Sequence, residues 1–163
     1  MSKTFKSLII MGLLVLFLGC ATTSWKSVPN TYKKGNPFFD VSLTTADFWG
    51  FNLKVQNKTD KNIEILWDKT LFIDPSGGTN DYFTYGKETL WEEADNLPPK
   101  TIIFPNALWE RVIFPTANRS WNRGWHWKYM AVGKNGILLT VNVDGKEVKE
   151  ELILEILHVK RGF

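Results

Sequence analysis

The chain is poor in the groups that most chemistry needs. It has one cysteine, Cys20, so no intramolecular disulfide can form, whatever the compartment. It has two histidines, His126 and His158, far apart in sequence, and neither belongs to a Cys/His cluster of the kind that holds zinc. No Ser or Gly motif has the spacing of a nucleophile elbow. No apolar run reaches the roughly 20 residues needed to cross a bilayer as a helix. Nucleic acid is also a poor fit, because no basic stripe marks a phosphate footprint. These absences point to a non-enzymatic protein with no cofactor and no metal. An oxygen-only calcium site could draw on Asp74, Asp81, Glu92, Glu93 or Asp95, but their spacing matches no EF-hand loop, and a solvated loop explains them.

What is present begins at the N-terminus. Met1-Ser2-Lys3-Thr4-Phe5-Lys6 carries two lysines and no acid, and an apolar run from Leu8 to Leu18 follows, interrupted only by Gly12. A basic start, a short apolar stretch and a small residue before a cut site is the layout of an export signal, expected to be helical around residues 3–18. The stretch Leu16-Phe17-Leu18-Gly19-Cys20 resembles the lipobox of bacterial lipoproteins. That resemblance implies cleavage before Cys20, a diacylglycerol on its thiol and an acyl chain on its new amine. It further implies a place in the cell envelope, with the outer membrane favoured over the inner in a two-membrane cell, since Ala21 stands where a retained protein would carry aspartate. The other reading is an ordinary signal cleavage that leaves Cys20 an incidental thiol.

The full chain carries 20 basic and 17 acidic residues, and Lys3 and Lys6 leave with residues 1–19, so the mature part is near neutral. Residues 20–36 contain the lipidated cysteine and a small, polar stretch broken by Pro29 and Gly35, which reads as a flexible tether. Residues 37–163 read as one domain.

That domain has the period-two texture of half-buried strands. Phe51, Leu53 and Val55 alternate with Asn52, Lys54 and Gln56; a polar turn from Lys58 to Asn62 then leads to Ile63, Ile65 and Trp67, which suggests a hairpin. Leu71–Ile73, 101–104 and 108–114 are further strand candidates, and Trp91–Asp95 could form one helical turn before Pro98 and Pro99. A turn at Gly133–Gly136 is expected to lead into a strand over 137–143. Asp144-Gly145 is a two-residue hairpin signal, because both positions suit positive φ. Residues 147–160 fit a strand or a helical face, and the preceding turn favours the strand. Seven to nine short strands with no long helix predict an all-β antiparallel sandwich. The segment Phe51–Trp67 is similar to paired strands of immunoglobulin-like domains in exported lipoproteins, which implies the same class.

The most suggestive surface candidate is the run from Asn118 to Tyr129, where Trp121, Trp125 and Trp127 stand among Arg119, Arg123, His126 and Lys128. Aromatic faces beside hydrogen-bonding groups suit a binding surface. Packing into the core and contact with a membrane interface are the competing uses. Asn57-Lys58-Thr59 and Asn118-Arg119-Ser120 match the N-glycosylation pattern, which is discounted because the N-terminus reads as bacterial. The function expected is a membrane-anchored lipoprotein that offers its sandwich to another envelope protein or to cell-wall glycan (peptidoglycan). The alternative is a carrier of a small apolar ligand inside an aromatic-lined β-barrel.

Overall fold

A computed structural model describes residues 23–78, 83–85, 100–121 and 125–160. Among them are thirteen strands and two short 3-10 turns, Trp67–Lys69 and Thr116–Asn118. The chain divides into two units, Met1–Trp25 with His158–Phe163, and Lys26–Leu157. In the first, the described pair Trp25 and His158 stack with ring centroids 4.7 Å apart. Cys20, the expected signal helix and the helical turn at 91–95 lie outside the described residues.

The unit Lys26–Leu157 contains an antiparallel sandwich. One sheet contains β1 (Thr23–Val28), β5 (Ile63–Ile65), β6 (Leu71–Ile73), β8 (Thr101–Ile103), β12 (Gly133–Val143) and β13 (Lys146–Lys160). Its order is β1-β13-β12-β5-β8, with β6 also paired to β12. The other contains β2 (Thr31–Gly35), β3 (Phe39–Ala46), β4 (Gly50–Asn57), β7 (Phe83–Tyr85) and β9 (Leu108–Pro115), in the order β2-β3-β4-β9-β7. The alternation read from the sequence sets the inner faces. Phe39, Val41, Leu43, Phe51, Leu53 and Val55 from one sheet, and Ile137, Leu139, Val141, Leu152, Leu154 and Ile156 from the other, are all buried. Each contributes about 1.5–3 kcal/mol by leaving water. Phe51 meets Phe72, and Trp67 meets Trp109, across the layers at centroid distances of 6.2 and 5.9 Å. The described strands form two packed sheets and no closed barrel, so the barrel that the carrier alternative requires is not there.

Four local expectations change. The stretch 21–36 is not a tether from Thr23 onward, because β1 and β2 occupy most of it. An edge strand needs a backbone partner more than an apolar face, and β2 finds one in β3, from Thr31 opposite Thr44 to Gly35 opposite Asp40. The expected hairpin over Phe51–Trp67 is a crossover between sheets: β3 and β9 take both edges of β4, while β5 pairs with β12 and β8. Gly133–Gly136 is not a turn but the start of β12. The Asn135 amide donates to the carbonyls of Ala131 and Gly133 at 2.7 and 2.9 Å, and a Cβ on Gly136 would lie 2.1 Å from the Leu152 carbonyl oxygen, so glycine serves close approach there. The strand count also exceeds seven to nine, because short edge strands carry little apolar signal. Residues 147–160 are strand, as expected, and Asp144 and Gly145 form the two-residue turn with φ of 53° and 82°.

Candidate functional site

Strand direction gives the unit Lys26–Leu157 two distinct ends. The distal end holds the β12–β13 hairpin, where Val143 faces Lys146, and Ile63 stands there opposite both Val143 and Ile103. At the proximal end Gly133 stands opposite Ile156, and β3 turns into β4 through Asp47, Phe48 and Trp49. The ten residue steps of β12 separate the two by about 33 Å.

The aromatic run found in the sequence lies at the proximal end. β10 (Arg119–Trp121) and β11 (Trp125–Trp127) form a two-stranded ribbon outside both sheets. Its register sets Trp121 opposite Trp125 and Arg119 opposite Trp127, four positions on one face, with Ser120 and His126 on the other. The ribbon therefore brings together Arg119 and all three tryptophan positions, while Arg123 lies outside the described residues. The backbone fixes the ribbon's base. Lys128 N–H donates to the Asn118 carbonyl at 2.7 Å, and Met130 N–H to the Phe48 carbonyl at 2.8 Å. Met130 is buried, whereas Tyr129 and Val132 are 52% and 53% exposed, with Tyr129 edge-on to Trp49 at 5.5 Å. Tyr129 lies beyond the end of β11, on an exposed segment.

Beside the base is a cavity of about 370 Å³, lined by Phe72, Pro75, Ala117, Asn118, Ala131 and Asn135 among others. Asp74 borders it, but its carboxylate is engaged by its own turn. It accepts from the Ser76 hydroxyl at 2.5 Å and from the Ser76 and Gly78 amides at 2.8 and 3.1 Å. The Ser76 hydroxyl, helped by the amides, holds Asp74 below the ordinary carboxylate range against the opposing effect of burial. Of the other calcium candidates, Asp81, Glu92, Glu93 and Asp95 lie outside the described residues. His126 is exposed, and His158 is stacked on Trp25. Among the described residues no three His, Cys, Asp or Glu side chains converge to hold a metal.

The distal end has a surface that the sequence reading missed. Phe104, Pro105, Asn106 and Ala107 form a turn closed by Ala107 N–H to the Phe104 carbonyl at 3.1 Å, with Asn106 at φ 56°. Proline followed by a positive-φ asparagine is the sequence mark of such a turn. The large residues around it stay in water: Ile102, Phe104 and Leu108 are 45%, 66% and 58% exposed. Gln56 braces the turn through the Asn106 carbonyl at 2.9 Å. Asn57, fully buried, donates to the carbonyls of Lys61, Ile103 and Phe104 at 2.7, 3.1 and 3.0 Å. A groove of about 390 Å³ adjoins Leu108, with Lys33, Asp40, Lys54 and Gln56 on its walls. Lys58 pairs with Asp40 and Lys54 with Glu110, each at 2.9 Å. Lys33 has no ion pair among the described residues.

The chain matches no protein-family model, no curated protein and no solved structure in the three comparisons.

Proposed function

We propose that the chain is a non-enzymatic lipoprotein of the cell envelope, cut before Cys20, held by lipid on that residue, and docking another envelope protein through the distal end of its sandwich. The observation that carries the docking is the exposed apolar turn. Ile102, Phe104 and Leu108 are large side chains left in water on a turn that Asn57 and Gln56 hold rigid. Pre-ordered apolar residues lose little entropy on binding and serve well as interface anchors. The anchor rests on the basic, apolar and Gly19-Cys20 pattern of the N-terminus. A two-membrane cell would hold the protein at its outer membrane. Cell-wall glycan is the second reading, favoured by the groove beside Leu108, where Lys33 and Lys54 offer donors to sugar oxygens.

Intact mass and membrane flotation of the wild type beside Cys20→Ala test the anchor. Acyl mass and flotation in the wild type alone support it, and equal soluble masses sink it. A photo-crosslinking residue at position 104 tests the docking, with the same residue at the exposed Lys149 as control. One protein crosslinked from position 104 in repeated preparations, and absent when Leu108→Asp is added, supports the reading. Retention on purified peptidoglycan with no protein crosslink would replace it with the glycan reading, and neither result would leave the distal end without a partner role.

A further inference from the structure

One side of β9 is only partly paired. β4 runs along it from Leu108 to Ile113, while on its other side β7 reaches only from Ile113 to Pro115. Among the described residues no strand pairs with that second side between Leu108 and Val112. Asn57 N–H donates to the Ala107 carbonyl at 3.0 Å, which makes Asn57 and Ala107 a hydrogen-bonded pair. Such pairs alternate along an antiparallel ladder. Trp109 and Arg111 therefore turn their backbone groups toward β4, and Leu108, Glu110 and Val112 turn theirs toward the open side.

The side chains of the same stretch say what strand would fit. Leu108, Glu110 and Val112 lie on the outer face of the sheet, with Leu108 and Val112 58% and 39% exposed. Glu110 between them is taken by Lys54 and Asn52, both at 2.9 Å. Arg111 lies on the inner face, opposite the fully buried Leu53, yet it is itself exposed. Neither Asp68, beside Trp67, nor any other acid pairs with Arg111 among the described residues. An inward cation on an open edge discourages indiscriminate pairing, and a strand that brings an acid to it is favoured. Occupants from this chain fit badly. The register of β7 carried past Tyr85 would set Lys87 against Arg111 and Glu88 against Glu110, like charge against like. A second copy paired symmetrically edge to edge would set inner-face positions opposite one another. Arg111 would then meet Ala107, Trp109, Ile113 or its own counterpart, and never an acid.

We infer that the open edge of β9 receives an extended strand of the docking partner, with an acidic side chain facing Arg111 and apolar ones facing Leu108 and Val112. Strand addition of this kind takes its affinity from main-chain hydrogen bonds and its specificity from alternate side chains. The inference rests on the distal docking proposed above, since Leu108 belongs to both surfaces.

The test uses the full chain and the protein captured by the crosslinker at position 104. In the crosslinked complex the amides of Leu108 and Glu110 should exchange hydrogen at least about tenfold more slowly than in the free chain, as for amides newly bonded in a ladder. Titrated against the uncrosslinked chain, the same protein should bind Arg111→Gln about tenfold more weakly than wild type, as for one charge-assisted bond lost, and Arg111→Glu more weakly still. Lys149→Glu, the same charge change at an exposed position of β13, should leave binding unaltered. Changing the acid of the captured segment to lysine should restore binding to Arg111→Glu. A protein captured from position 104 that leaves both amides fast refutes the inference and keeps the docking. Slowed amides with equal binding to wild type and Arg111→Glu refute it too, because no acid then faces Arg111. If no protein is captured from position 104, the docking fails and the inference fails with it.

Discussion

Replacing Asn57 tests the argument that one buried amide locks the distal end. Its side chain has five hydrogen-bond partners: the two amide N–H groups are shared among the carbonyls of Lys61, Ile103 and Phe104, and the amide oxygen accepts from the Thr59 amide and hydroxyl, both at 2.8 Å. Because all three donations go to carbonyl oxygens, the amide cannot be flipped without losing them together. In Asn57→Ala the Ile103 carbonyl, the partner in the most buried of these bonds, loses this donor at about 1–3 kcal/mol, and the other bonds are worth about 0.5–1.5 kcal/mol each where water does not replace them. The sum expected is about 3 kcal/mol, allowing for water at the more open positions. At a urea slope of about 2 kcal/mol/M that moves the midpoint down by about 1.5 M with the slope unchanged. Asn57→Asp keeps the shape and the Thr59 contacts but points a carboxylate at three carbonyl oxygens, so at neutral pH it should be at least as damaging as alanine. Urea unfolding followed by tryptophan fluorescence measures both. A midpoint shift under about 0.5 M for alanine, or an aspartate variant milder than alanine, would refute the donor assignment.

Acid should weaken the fold partly through Glu150, which is buried at an inward-facing position of β13 and bridges the sheets, accepting from Lys34 at 2.6 Å and Asn36 at 2.8 Å. Burial pushes its carboxyl up, but the bonds from Lys34 and Asn36 and the lysine charge bring it below the ordinary value of 4.5. A folded value below the unfolded one gives stability that is present above pH 4.5 and is lost as pH falls through the folded value. Asp74, Glu110 and Glu147 are each held below their ordinary values by hydrogen bonding and act in the same sense. The expected outcome is therefore a difference: between neutral pH and the acid side of that value, Glu150→Gln loses less stability than wild type, read from urea midpoints. Gly136→Ala should destabilise by about 1–3 kcal/mol or prevent folding, because the new Cβ meets the Leu152 carbonyl and neither strand can give way without shifting the pair. A melting temperature equal to wild type would contradict the close approach. Gly145→Val, at φ 82°, should cost about 1–2 kcal/mol in the same assay through backbone strain alone, with no change in the distal crosslink.

The sandwich was legible because its inner strands alternate cleanly. Phe51, Leu53 and Val55, or Leu152, Leu154 and Ile156, declare their buried face with no knowledge of their neighbours. Pairing was less legible. Nothing in residues 51–67 says that the turn at Lys58–Asn62 crosses between layers, since a hairpin and a crossover both need a polar turn between two apolar runs. Asn57-Lys58-Thr59 matched a glycosylation pattern, yet its asparagine is fully buried and its amide is committed to three carbonyls. Polar edge strands were the least legible: β2, Thr31–Gly35, has the composition of a linker, and what makes it a strand is the free edge of β3 and the distant Glu150. Of the candidate surface, clustering was readable and location was not. The aromatic run announced itself, but only the topology puts it outside both sheets.

The distal turn and the ribbon also differ in how they are held, and for the turn that bears on the kind of ligand it suits. The distal turn is fastened by its own hydrogen bond, by Gln56 and by Asn57, so Phe104 is held on a rigid base. A fixed anchor suits a partner with a matching pocket, because little freedom is left to lose on binding. The ribbon is a two-stranded element outside both sheets, joined to the sandwich at its base through Asn118, Lys128 and Met130. The ribbon's base and the distal turn lie about 33 Å apart along β12, so Phe104→Asp should abolish the distal docking proposed above and leave the ribbon's base unchanged.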